Sequence, residues 1–244
     1  MKNNLLITGA AGSIGFQIVK NFYKKNYNII AVDKIQNRKL KKSFPKINYF
    51  LCDLTNERSI KDLIKKIEKK FKSIDILINN AGLIFNSLII SRTKNGLKKH
   101  SYNSWKKVLS ANLNSVFLAA SYTIENMVKN KKNGLIINMS SISAEGNIGQ
   151  SAYSSSKSAI ESFSVTLSKE LAIFGIRVVA IAPGFFDTKS TIASLSNNQI
   201  SNIKLITPVN RLGKIKELMK AINFVVDNKF YNGKVLKIDG GLRI

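Results

Sequence analysis

Seven short runs dense in Val, Ile and Leu, most of them separated by longer helical patterns, constrain this chain more than any other feature. The runs are NLLIT (4–8), NIIAVD (28–33), INYFLC (47–52), IDILIN (74–79), GLIINMS (134–140), IRVVAIA (176–182) and KVLKID (234–239). They are nearly continuous in apolar residues rather than alternating, as expected of parallel strands covered on both faces. Helical spacing fills 13–25, 56–71, 104–130, 151–173 and 214–228. That alternation predicts an α/β fold with a doubly wound, seven-stranded parallel sheet. No repeat, linker or change of composition divides the chain, so one domain over 1–244 is expected. The longest stretches without a pattern are 83–103 and 184–210. Long loops in such a domain tend to carry function.

With 244 residues, 44% of them hydrophobic, the chain can bury a sizeable core. Its single cysteine, Cys52, excludes an internal disulfide and reads as a small buried hydrophobe. No signal-peptide core opens the sequence, and no run approaches the roughly 18 apolar residues of a spanning helix. A soluble, cytoplasmic protein without a membrane partner is the expectation. Lys and Arg number 39 against 14 Asp and Glu, a net charge of +25. Such a charge attracts nucleic acid, membrane surfaces and anionic substrates alike. In SIKDLIKKIEKKFKSID, however, Ile60, Leu63, Ile64, Ile67 and Phe71 keep helical spacing while lysines fill the other face. Solvated surface is therefore the preferred reading, and nucleic-acid binding is not expected.

The first strand runs directly into TGAAGSIG and then a helical pattern. Gly9 suits the tight turn; Gly12 and Gly15 allow close backbone approach and helix packing. The helix N-terminus, with Ser13 and Ile14, offers free N–H groups and a positive dipole end to phosphates. Asp33 closes the second strand, where a carboxylate accepts hydrogen bonds from ribose hydroxyls and repels a 2′-phosphate. That predicts NAD, with NADP kept open by nearby Lys34 and Arg38. Asp53, in LCDLTN with Leu54, is placed to meet adenine or to cap the helix beginning near Asn56.

Tyr153 and Lys157 are four residues apart in SAYSSSKSAI and so share a helix face. An ammonium beside a phenol favours the phenolate and can make tyrosine an acid/base near neutrality. Ser140, ending the fifth strand, falls in the crevice where open α/β sheets bind ligands. Its hydroxyl suits a substrate oxygen. With one His and one Cys no metal site is expected, and His100 has no assigned role.

Together these residues resemble the short-chain dehydrogenase/reductase family, a Rossmann-fold family. The resemblance spans the chain and rests on TGAAGSIG, NNAG (79–82), NLNSVF from Asn112, Ser140, Tyr153, Lys157 and PGFFDT (183–188). It implies Tyr153 as general acid/base, Lys157 on the nicotinamide ribose, Ser140 orienting substrate and Asn112 anchoring a relay water. Asn80, Ala81 and Gly82 would line the cofactor, with Pro183 and Gly184 at the same end and Thr188 at the carboxamide. Ser13 stands where the family's middle glycine is usual; the resulting T-G-x-x-G-x-x-G spacing is more typical of its longer, sugar-nucleotide-modifying branch.

Within the family, GIRVVAIAPGFFDT and YNGKVLKIDGGLRI look most like type-2 3-hydroxyacyl-CoA dehydrogenases, which use NAD on 3-hydroxyacyl thioesters. The alternatives are an NADPH-dependent 3-oxoacyl-ACP reductase, a reductase of sugar nucleotides in surface-glycan biosynthesis and, outside catalysis, an RNA-complex scaffold subunit. Lys94, Lys98 and Lys99, in the extended segment 89–105, are candidates for contact with CoA phosphates. The resemblance also implies a homotetramer built on the helices near 104–130 and 151–173 and on the C-terminal strand region.

Overall fold

The computed structural model describes residues 2–243. Its main sheet contains β1 (Asn4–Thr8), β2 (Asn28–Asp33), β3 (Asn48–Leu51), β4 (Ile76–Asn79), β7 (Leu135–Met139), β8 (Arg177–Pro183) and β9 (Val235–Ile238). The strands are parallel throughout and ordered β3-β2-β1-β4-β7-β8-β9. All seven apolar runs thus become the seven strands of one sheet.

Because successive side chains on a strand point to opposite faces, each run feeds two cores. Leu5, Ile7, Ile29, Ile137 and Ile181 pack beneath α1 (Ser13–Tyr23), α2 (Arg38–Ser43) and α9 (Ile215–Asp227). Leu6, Ile30, Leu77, Ile136 and Val178 pack beneath α3 (Glu57–Phe71), α5 (Ser115–Lys129) and α6 (Ser151–Glu170). Each fully buried Leu, Ile or Phe contributes about 1.5–3 kcal/mol relative to exposure. Cys52 lies in the second core, buried as expected. The lysine-rich α3 buries Ile60, Leu63, Ile64 and Ile67 and leaves its lysines outside.

The strand order reverses between β1 and β4, so the loops leaving these neighbours diverge and open a crevice. The glycine turn and NNAG both leave the sheet there.

Four regions differ from expectation, the first being α2, where the sequence shows no helical pattern. The segment 83–103 is not wholly irregular: β5 (Ile90–Thr93) and β6 (Gly96–Lys99) form a separate antiparallel hairpin. Within 184–210 lie two helices, α7 (Lys189–Ser194) and α8 (Asn197–Ile206). The pattern at 104–130 is α4 (Tyr102–Leu109), a π-helical turn (Ser110–Asn114) and then α5. Among the described residues, no helix is long and apolar enough to cross a membrane.

Candidate active site

The site is assembled from loops at the carboxyl ends of β1, β4 and β7 and from the first turns of α6. Gly9 has φ +64°, and a Cβ there would stand 2.7 Å from Ala81 Cα and 2.9 Å from Ala81 N. Only glycine fits both constraints. A Cβ at Gly15 would lie 2.1 Å from the Gly9 carbonyl oxygen, so this glycine sets the approach of α1 to the turn. Gly12 is different: its Cβ position meets nothing closer than 3.4 Å. The unusual glycine spacing is therefore not forced by packing. Ser13 opens α1, and the first turn carries no acidic side chain.

Thr8 joins the two loops. Its hydroxyl accepts from Asn80 N (3.0 Å) and Ala81 N (3.1 Å), while Asn80 Nδ2 donates to Thr8 O (3.2 Å) and Gly9 O (3.1 Å). Asp33 Oδ2 accepts from Ala11 N at 2.9 Å, which holds the carboxylate against the glycine turn. Asp53 Oδ1 accepts from Thr55 N (2.9 Å) and Thr55 Oγ1 (2.7 Å). These bonds lower the Asp53 pKa. The cap of α3 is Asn56, whose side chain accepts from Ser59 N at 3.0 Å. Asp53 shapes the preceding turn instead. Leu54 is buried beside it.

Asn112 lies in the π-helical turn and is fully buried. Its Oδ1 accepts from Leu83 N (2.6 Å), and its Nδ2 donates to Leu83 O (2.9 Å) and Ser156 Oγ (3.2 Å). The side chain thereby clamps the end of the NNAG loop to α6. Leu83, Trp105, Val108 and Ala152 surround Tyr153.

Lys157 is buried, and its Nζ donates to Met139 O at 2.7 Å while lying 5.6 Å from the centroid of the Tyr153 ring. A Cβ on Gly82 would be 3.7 Å from that Nζ. Burial lowers the Lys157 pKa to about 8 and raises that of Tyr153. The expected lowering of the phenol's pKa by the ammonium is not found; only Ser141 acts in that direction, and burial exceeds it. Lys157 sits over the ring face, and desolvation dominates.

The serine beside the Tyr153 hydroxyl is Ser141, not Ser140. Tyr153 faces Ser141, which favours its ionised form against burial, and the Ser141 Oγ accepts from Ser143 N at 3.1 Å. Ser140 Oγ turns away, toward Glu161 Oε1 (2.8 Å) and Lys157 O (3.2 Å). Strand periodicity explains the choice. Ile136 packs in the core beneath α6, Asn138 bonds Ser164 of α6, and Ser140, two further on, points the same way. That alternation was readable in LIINMSS. Glu161, one turn beyond Lys157, had no sequence signal; burial raises its pKa.

Gly184 follows Pro183 at the end of β8, and a Cβ there would lie 2.8 Å from Asp239 Cα. Thr188 caps α7 through Thr191 N at 3.2 Å. His100 packs edge-on between Phe85 and Trp105. Among the described residues, no three His, Cys, Asp or Glu side chains group to hold a metal ion.

A family model described as short chain dehydrogenase matches residues 3–199. The chain belongs to this family. As a short-chain dehydrogenase it is an oxidoreductase acting on CH–OH groups. It is 36% identical to the 3-oxoacyl-[acyl-carrier-protein] reductase FabG of Buchnera aphidicola, over 99% of this chain and 97% of the relative. The protein of that name from Thermotoga maritima is 32% identical, over 98% and 97%. The one from Escherichia coli is 31% identical, over 97% and 96%. These relatives bear the reductase name, whereas the sequence resemblance placed the 3-hydroxyacyl-CoA dehydrogenases first.

Proposed function

We propose that this short-chain dehydrogenase reduces 3-oxoacyl thioesters to 3-hydroxyacyl thioesters, using NADH. The observation that carries the reaction class is the placing of Ser141 and Lys157 against the buried Tyr153, with the Lys157 Nζ 5.6 Å from its ring centroid. The full-length similarity to 3-oxoacyl-[acyl-carrier-protein] reductases supports the substrate.

The residues present suit a nicotinamide dinucleotide. Gly12, Ser13 and Ile14, at the N-terminus of α1, would hold the pyrophosphate, with no acidic side chain in that turn to oppose it. Asp33, fixed by Ala11 N, would hold the adenosine ribose, and Asp53 and Leu54 would border the adenine. Asn80, Ala81 and Gly82 would line the path between the halves; Lys157 would hold the second ribose, and Pro183, Gly184 and Thr188 the carboxamide. The bound nicotinamide supplies the hydride.

The protein's part is protonic and electrostatic. Ser141 and Tyr153 converge as two donors on one substrate oxygen. Tyr153 delivers its hydroxyl proton to that oxygen as the alcohol forms. Burial keeps the phenol protonated at neutral pH, which suits a donor in the reductive direction. Lys157, with a pKa of about 8, is mostly ammonium at neutral pH and balances the phenolate left behind. The Asn112 amide is committed to Leu83 and Ser156, so its relay contact is made by its main chain, where the π-helical turn departs from regular helix.

A second reading, oxidation of 3-hydroxyacyl-CoA with NAD, is favoured by Asp33 alone. A homotetramer is supported by Phe117 of α5, which is 53% exposed and packs at a tilt against Phe163 of α6. A cytoplasmic location agrees with the free Cys52.

The test follows loss of reduced nicotinamide with acetoacetyl thioesters, comparing NADH with NADPH and wild type with Asp33→Ala. Preference for NADH, reduced at least about tenfold in the variant, supports the reading. Preference for NADPH in the wild type removes Asp33 from its role. Silence with every thioester, with NADH still bound, redirects the substrate search to other ketones.

A further inference from the structure

The hairpin β5–β6 belongs to neither layer of the fold. Except for Ser91, all residues of its two strands are exposed. Its register pairs Ile90 with Lys99, Ser91 with Lys98 and Arg92 with Leu97. Paired residues share a face, so Ile90, Arg92, Leu97 and Lys99 form one mixed apolar and basic surface. Leu97 is 71% exposed, and Tyr102, just beyond the hairpin, 69%. Lys94 stands at the tip and Lys98 on the opposite face. No Asp or Glu occurs between residues 76 and 124, and among the described residues Arg92, Lys94, Lys98 and Lys99 form no ion pair.

The hairpin is rooted at the candidate active site. Ser87 N donates to Gly149 O at 2.7 Å, and Gln150 Nε2 donates to Asn86 Oδ1 at 3.0 Å. His100 N donates to Ile89 O at 2.8 Å and closes the base. Ser87, Leu88 and Ile89 form one wall of a cleft of about 320 Å³; Gly149, Ser151 and Ser154, the last next to Tyr153, belong to the other. A two-stranded hairpin is marginal alone, and exposed apolar residues beside cations favour a covering partner of opposite charge.

We propose that this hairpin is the docking arm for an acidic carrier protein that presents the acyl thioester on a tether entering the cleft. The proposal rests on the 3-oxoacyl thioester reading above. A protein fits better than a free nucleotide because the cations occupy both hairpin faces and alternate with Ile90, Leu97 and Tyr102. Phosphates alone would leave those apolar side chains bare.

The test reverses Arg92→Glu, Lys94→Glu, Lys98→Glu and Lys99→Glu together, with the corresponding four-Gln variant as a milder companion should reversal impair folding. Both are assayed with one 3-oxoacyl group carried by a carrier protein, by CoA and by N-acetylcysteamine. For the carrier-borne substrate, KM should rise at least about tenfold at low salt, and the rise should shrink near 0.5 M salt, while kcat holds. The N-acetylcysteamine substrate should be unaffected. An equal rise with CoA means that phosphate alone is read and overturns carrier docking. So does an unchanged carrier KM, including a case where the substitutions abolish salt-dependent RNA binding instead. If unmodified protein turns over none of the three thioesters, the functional reading itself fails and the docking proposal falls with it.

Discussion

Replacing Lys157 by Met should stabilise the protein at pH 7 while abolishing turnover. The lysine reference value of 10.5 falls to about 8 in the folded chain, from burial alone. That depression corresponds to a penalty of about 3 kcal/mol on the buried ammonium. Truncation also leaves Met139 O without its 2.7 Å partner, which costs about 1 kcal/mol. The net gain is about 2 kcal/mol, equivalent to roughly 4–8 °C in Tm for a chain of this size. The pH dependence separates this cause from improved packing. Between about pH 8 and 10.5 the unfolded chain holds the Lys157 proton that the folded chain has released, so wild-type stability contributed by this group rises with pH. The penalty is in full force below about pH 8 and has fallen by about 2 kcal/mol near pH 9.5. Thermal melts of both proteins from pH 7 to 9.5 should therefore converge. A variant less stable at pH 7, or a Tm difference that does not change with pH, would refute the argument that desolvation governs this lysine.

Other perturbations discriminate among the neighbours. Ser141→Ala should lower kcat by about a hundredfold or more, because it removes a donor from the substrate oxygen, and should cost about 1 kcal/mol of stability, because it also removes the cap on Ser143 N. Ser140→Ala should spare kcat to within a few-fold and cost about 1–2 kcal/mol, since it strips the half-buried Glu161 carboxylate of its 2.8 Å donor; the reverse pattern in kinetics and melts would restore Ser140 to catalysis. Tyr153→Phe should eliminate turnover and leave NADH binding, read by fluorescence, nearly intact. Gly9→Ala should destabilise by about 3 kcal/mol or more through its positive φ and the backbone of Ala81, while Gly12→Ala should leave the melting temperature almost unchanged.

The sheet was legible because parallel strands buried on both faces write their hydrophobicity directly into the sequence. The helices α1, α3, α6 and α9 were legible because each buries a stripe at regular spacing. α2 was missed: six residues with one buried side chain, Leu40, carry too little periodicity. The hairpin was missed although its turn is marked by Asn95 and Gly96, the latter at φ +105°. It lacks a buried face, so apolar alternation was absent. At the site, the chain spacing that singled out Tyr153 and Lys157 reflects helix geometry and translated into proximity. Ser140 was chosen over Ser141 because both lie where strand periodicity gives way to a turn. Only the direction of the strand's last side chains separates them. Electrostatics was the least legible property: four-residue spacing suggests an ammonium acting on a phenol, whereas burial decides both groups.

The π-helical turn at Ser110–Asn114 stores information in chain length rather than in residue identity. It places one residue more in the helical segment 102–129 than a regular ladder would hold. Each residue advances a helix by about 100°, so that extra residue sets the rotational phase between α4 and α5. Trp105 and Val108 cover Tyr153 from one side of the offset, while Ala120 and Met127 fill the sheet core from the other. Removing one residue near Ala111 would bring both halves into a common phase and turn one of these surfaces away by about a quarter of a revolution. Scanning by substitution would pass over Ala111 as unremarkable; scanning by single deletions would find there one of the least dispensable positions in the chain.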